Sequence, residues 1–190
     1  MCGFVVTTDI ENCGKMMERQ RFRAPDGMAM WKNDKIAMAH GLLDISGKKQ
    51  LQPYKTKKNN YLVFNGEMYD TNIQNDTKYL ADGLEHYGFK FLEWNDWHGS
   101  LAWYQPEKNK LIVCRPLWIH KKGKHLTVTT SLRSLSDMKE NRANKKGFII
   151  NALLQGNESP YKDVVKVAPG EYVIFDFNKN KIIYKNLWNS

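Results

Sequence analysis

The sequence predicts an α+β layered sandwich, and three observations lead there. Strand-like runs dominate the chain, two segments read as helices, and the helices fall between groups of strands without strict βαβ alternation. The runs are GFVVTT (3–8), DGMAMW (26–31), KIAMAHGLL (35–43), YLVFNGEMY (61–69), GSLAWYQ (99–105), KLIVCR (110–115), HLTVTTS (125–131), EYVIFDF (171–177) and KIIYKNLW (181–188). Polar turns such as PEKN (106–109) and NKNK (178–181) separate several of them, the pattern of hairpins in antiparallel sheet. So many strands exceed one small sheet.

The clearer helix starts at Asp76. Tyr79, Leu80, Gly83, Leu84 and Tyr87 recur at helical spacing, with Asn75 or Asp76 as the N-cap and Gly88 as the stop. Residues 11–22 are a weaker helix, SLRSLSD (131–137) reads as a short helical turn, and GFIINALL (147–154) is ambiguous by period. With no repeat or linker visible, the 190 residues read as one domain, able to bury roughly 70% of its unfolded surface. A 42% hydrophobic and 12% aromatic content excludes a disordered chain.

No apolar run approaches the ~18 residues that span a bilayer, and no basic n-region precedes an h-region, so Cys2 is not read as a secretory or lipoprotein cysteine. A cytoplasmic protein is expected. Cys2, Cys13 and Cys114 form no C-x-x-C pair and are odd in number, which suggests neither a disulfide framework nor a zinc site. The formal charge of +9 rests on scattered basic residues, densest at KTKKNN (55–60), HKKGKH (120–125) and NRANKKG (141–147). Those clusters read as solvated loops, so specific nucleic-acid binding is not expected.

The chain opens MCGF, and that opening carries chemistry. If Met1 is removed, Cys2 presents a thiol beside a free α-amine, a nucleophile with its own base. FNGEMYD (64–70) is the second piece. An Asn-Gly dipeptide at a strand end is commonly just a tight turn. An Asn carboxamide and an unhindered Gly N–H can also converge on one point and donate to a developing oxyanion. A cysteine and two such donors make acyl-transfer machinery.

MCGF, RAPDG (23–27), AMAHGLLDISG (37–47), QP (52–53), LVFNGEMYD (62–70), ND (75–76), GSLAWY (99–104), LIVCR (111–115), VTTSLRSL (128–135) and VAPGEYVIFD (167–176) occur in the same order as in the class II glutamine amidotransferases. The chain resembles that family over essentially its whole length, most of all the glutaminase domain of the asparagine synthetases. MCG followed by FNGE is the specific part. The resemblance implies a four-layer α/β/β/α sandwich of the N-terminal nucleophile hydrolase type, with mainly antiparallel sheets.

It also implies roles. Cys2 would attack the glutamine side-chain amide to give a γ-glutamyl thioester, with its own α-amine, reference pKa ~7.7–8.0, moving the proton. Asn65 and Gly66 would form the oxyanion hole. Asp76 would bind the substrate α-ammonium, sharing the task with the carbonyl of Gly66 or Glu67, and Arg23 would orient the nucleophile. No cofactor or metal is implied.

Two departures stand out. Where the family reads H-x-R-L, with an arginine forked onto the glutamine α-carboxylate, this chain reads His40, Gly41, Leu42, Leu43. Loss of such a charge-assisted pair costs about 2–5 kcal/mol unless Arg115, Arg133 or another cation replaces it. The family's stretch between Arg115 and Pro116 is also shortened, which alters the cavity wall there. The other residues have plainer readings: His40 as a structural strand histidine, Cys13 and Cys114 as small fillers, Asp76 alone as a helix cap, and Trp94, Trp97 and Trp103 as core.

The expected function is therefore glutamine hydrolysis to glutamate and ammonia. Because the sequence stops where the family's synthetase domain would begin, delivery of ammonia to a separate ATP-dependent synthetase is expected. Two other functions stay open on the sequence: a non-catalytic or regulatory binding module on the same scaffold, and an amide hydrolase whose substrate lacks an α-carboxylate.

Overall fold

A computed structural model describes residues 2–45, 49–69, 73–114, 116–136, 159 and 161–187. The strands are β1 (Gly3–Thr7), β2 (Gly27–Lys32), β3 (Ala37–Leu42), β4 (Tyr54–Lys55), β5 (Tyr61–Met68), β6 (Trp97–Gln105), β7 (Lys110–Cys114), β8 (Trp118–Lys122), β9 (His125–Thr129), β10 (Val164–Lys166), β11 (Glu171–Asp176) and β12 (Lys181–Asn186). The α-helices are α1 (Cys13–Glu18), α2 (Asp76–Tyr87) and α3 (Lys90–Trp94), with short 3₁₀ turns at Arg21–Arg23 and Leu132–Leu135. One sheet runs β10-β8-β9-β1-β3-β2 and the other β12-β11-β7-β6-β5-β4. Every described strand pair is antiparallel.

Three apolar clusters show how the layers stack. Phe4, Val6, Met38, Val63, Ala102, Tyr104, Val113, Val128 and Val173 fill the space between the two sheets. On the outer face of the first sheet, Val5, Ala37 and Ala39 meet Cys13, Met16 and Met17 of α1. On the outer face of the second, Leu62, Phe64, Leu101 and Trp103 meet Leu80, Leu84, Phe91 and Leu92 of α2 and α3. Strand alternation sorts residues to these faces. Because both its faces are covered, β1 is buried throughout. The architecture is the expected α+β sandwich with two antiparallel sheets.

The local signals explain the ends of α2. The Asn75 side chain accepts from Lys78 N at 2.8 Å as the N-cap, and Gly88 follows at φ 62°, a left-handed conformation that halts the helix at little steric cost. Asp76 is thereby released from capping. The weaker helix at 11–22 is only Cys13–Glu18 flanked by single 3₁₀ turns. GFIINALL lies outside the described residues, as do NRANKKG and Arg115. Cys13, Cys114 and Trp103 are buried, whereas Trp94, expected in the core, is 63% exposed. Its ring packs edge-on against Tyr87 at the end of the short α3 rather than under a sheet.

Candidate active site

Two strands from different sheets bring the chemistry together. Gly3 pairs with Gly41, so Cys2 continues the β1 ladder opposite Leu42 at the end of β3. Alternation sets Cys2 on the same face as Phe4 and Val6, toward the second sheet. In that sheet Tyr61 and Val63 face inward, and Asn65 is the next inward position. The two residues line one cavity of about 450 Å³, together with Leu42, Leu43, Gly66, Glu67, Asp76, His98 and Ser100.

Cys2 and the start of β1 are held from two sides. Arg23 Nε and Nη2 each donate to Cys2 O at 3.3 Å. Leu43 N donates to Cys2 Sγ at 3.3 Å, and the thiol lies 3.6 Å from Leu43 O. From the same RAPD segment, Asp26 Oδ2 accepts from Asp44 N at 2.7 Å and fixes the loop that continues the cavity wall beyond β3. Cys2 is half-buried.

Gly66 sits opposite Gly99, and this pair admits no side chain. A Cβ on Gly66 would collide with His98 O and the Phe64 ring, and one on Gly99 would strike the Asn65–Gly66 backbone. Gly99 also has φ 141°, outside the range L side chains favour. The NG dipeptide is therefore inside a strand, not a turn, and its glycine permits close backbone approach beside the cavity.

Asp76 opens α2 at the cavity wall, and its Oδ2 accepts from Met68 N at 3.3 Å. Burial pushes its carboxyl above the ordinary carboxylate range, opposed by the Met68 N–H. Glu67 lines the same cavity from β5. Arg133 does not line it; its guanidinium lies 4.8 Å over the Phe22 ring. Leu42 is 8% exposed and forms wall on the Cys2 side.

Three contributors escaped the sequence reading. Gln52, quoted only within QP, donates to Phe64 O at 3.2 Å and Thr77 Oγ1 at 3.0 Å and accepts from Phe64 N at 2.6 Å, tying β5 to α2. Leu43 contributes through its backbone, which no residue identity encodes. Ser100, quoted only within GSLAWY, faces inward beside Asn65.

His40 lies in the inter-sheet space, where burial pushes its imidazole down to about 4, weakly opposed by the nearby Phe64 backbone. Neither ring nitrogen makes a hydrogen bond of normal geometry to a described residue. A folded value below the ordinary 6.5 means the neutral ring favours folding above pH 6.5, a contribution lost as pH falls through about 4. His40 alone is expected to remove about 3 kcal/mol of unfolding free energy across that window. Urea titrations at several pH values check this, with His40→Gln flattening that part of the slope.

A family model described as a glutamine amidotransferase domain matches residues 1–188. The chain belongs to the glutamine amidotransferase domain family, whose general role is hydrolysis of glutamine for transfer of its ammonia. No match to the chain is found among curated proteins.

Proposed function

We propose that this protein is a class II glutamine amidotransferase, resembling the glutaminase domain of the asparagine synthetases, that works through a γ-glutamyl thioester on Cys2. The observation that carries the reading is the meeting of a half-buried thiol at the second residue with Asn65 and Gly66 in one cavity. After Met1 is removed, the Cys2 α-amine takes the thiol proton as Sγ attacks the side-chain carbonyl of glutamine. Asn65 Nδ2–H and Gly66 N–H donate to the oxyanion. Collapse breaks the C–N bond, and the amine returns the proton to departing ammonia. Water, deprotonated by the same amine, then hydrolyses the thioester to glutamate.

Asp76 receives the substrate α-ammonium with help from the Gly66 or Glu67 carbonyl, and Arg23 orients Cys2 by holding its carbonyl. The whole chain acts as one amidotransferase domain, and a separate ATP-dependent synthetase receives the ammonia. Its three thiols form no disulfide among the described residues, which supports a reducing, cytoplasmic setting. No described helix is long and apolar enough to cross a membrane. Reaction with an electrophilic glutamine analogue tests the reading: an adduct mapped to Cys2, with ammonia release from glutamine, supports it, and an adduct confined to another residue refutes it.

One observation favours a second reading, an amide hydrolase whose substrate lacks an α-carboxylate. Besides His98, the ionisable side chains among the described lining residues are Cys2 and the carboxyls of Asp44, Glu67 and Asp76, and Leu42 adds an apolar wall. If glutamine is the substrate, Leu42→Arg is expected to lower KM at least tenfold, about 1.4 kcal/mol or more of recovered charge pairing. Steady-state assays with glutamine and its α-amide decide between the readings. A wild-type preference for the α-amide, unimproved glutamine turnover in the variant included, favours the second.

A further inference from the structure

We infer that Ser100 is a positioning residue for the Asn65 carboxamide. The inference rests on the proposed role of Asn65 as an oxyanion donor. Ser100 is 1% exposed, and its Oγ has no hydrogen-bond partner among the described residues. A buried, unsatisfied hydroxyl costs roughly as much as a lost hydrogen bond, and a partner within reach offsets that cost.

The register identifies that partner. Ser100 stands directly opposite Asn65 on the antiparallel β5–β6 pair, and both face the inter-sheet space, as Val63 and Ala102 do two residues earlier and later on their strands. Opposite residues on one face have Cβ atoms about 4.5–5.5 Å apart, within reach of a hydroxyl-to-carboxamide bond after a rotamer change. The Asn65 side chain likewise makes no hydrogen bond to a described residue, and it is half-buried at the cavity wall. Two adjacent polar groups thus stand unengaged at the place where the oxyanion would form.

A carboxamide has a choice that matters here. Its oxygen and nitrogen are nearly equal in shape, and only the nitrogen can donate. With Oδ1 turned to the cavity, the oxyanion would meet an acceptor and be repelled. Ser100 Oγ–H donating to Asn65 Oδ1 draws the oxygen back into the wall and leaves Nδ2–H facing the reacting carbonyl. Negative charge developing on that carbonyl selects the same orientation, and the hydroxyl then holds the carboxamide in it. Ser100 touches neither substrate nor nucleophile and acts through Asn65.

Kinetics of four proteins test this: wild type, Ser100→Ala, Asn65→Ala and the double variant. Ser100→Ala is expected to lower kcat about tenfold with KM unchanged, the effect of one hydrogen bond made in the transition state. Its Tm should be equal or higher, because an unsatisfied hydroxyl has been removed from the interior. In the Asn65→Ala background the same change should have no further effect, since the group it positions is gone. Ser100→Cys, similar in size and a weak donor, should resemble the alanine variant and shows that the loss is not one of packing. A wild-type kcat in Ser100→Ala, or an undiminished tenfold loss in the Asn65→Ala background, overturns the inference while leaving the function intact. A wild-type chain that releases no ammonia from glutamine overturns both.

Discussion

Cys2→Ala is expected to abolish ammonia release from glutamine and labelling by a glutamine-analogue electrophile, with Tm changed by no more than a few degrees. The thiol's contacts to Leu43 at 3.3 and 3.6 Å are weak ones, so its loss removes chemistry and little stability. The other cysteines cannot substitute. Burial, with help from Asp9, pushes the Cys13 thiol up to about 12, leaving almost no thiolate at neutral pH. Cys114 is buried with its Sγ 3.6 Å from Glu171 O, and it does not line the cavity. Their alanine variants should keep kcat while losing some stability to the small cavities they create. Intact-mass measurement belongs with this experiment, because a retained Met1 turns the amine base into a peptide nitrogen. Full activity with Met1 attached would contradict the mechanism, as would an adduct on Cys114.

Asn65→Ala should lower kcat by about 10²–10³ with KM almost unchanged, because a donor aimed at the oxyanion acts mainly in the transition state. Its stability effect should stay near ±0.5 kcal/mol, since the side chain is half-buried and makes no hydrogen bond to a described residue. Rapid-quench measurement of thioester formation places the loss in the acylation step. A variant in which KM alone rises would instead make Asn65 a ground-state binder, and the oxyanion assignment would then rest on Gly66 alone.

The sequence by itself determined the layered α+β class, most of the strands, the limits of α2 and the family. Those features depend on local signals: short continuous apolar runs for β5 and β11, an Asn-Asp pair before the first turn and a glycine stop for α2, and an ordered run of motifs for the family. It missed β8, because WIHKK ends in two lysines and reads with the following GKH as a basic loop, and it missed β4 and β10, which are too short for any period to register. Only the tertiary structure decided that the NG pair lies within a strand facing a second glycine, that Leu43 lends its backbone to the thiol, and that Asn75 rather than Asp76 caps α2. It alone set Arg133 over Phe22, away from the cavity, and Ser100 against Asn65. The physical reason is range: propensity and capping act over a few residues, whereas the cavity is assembled by strand registers and by packing of two sheets whose partners lie tens of residues apart.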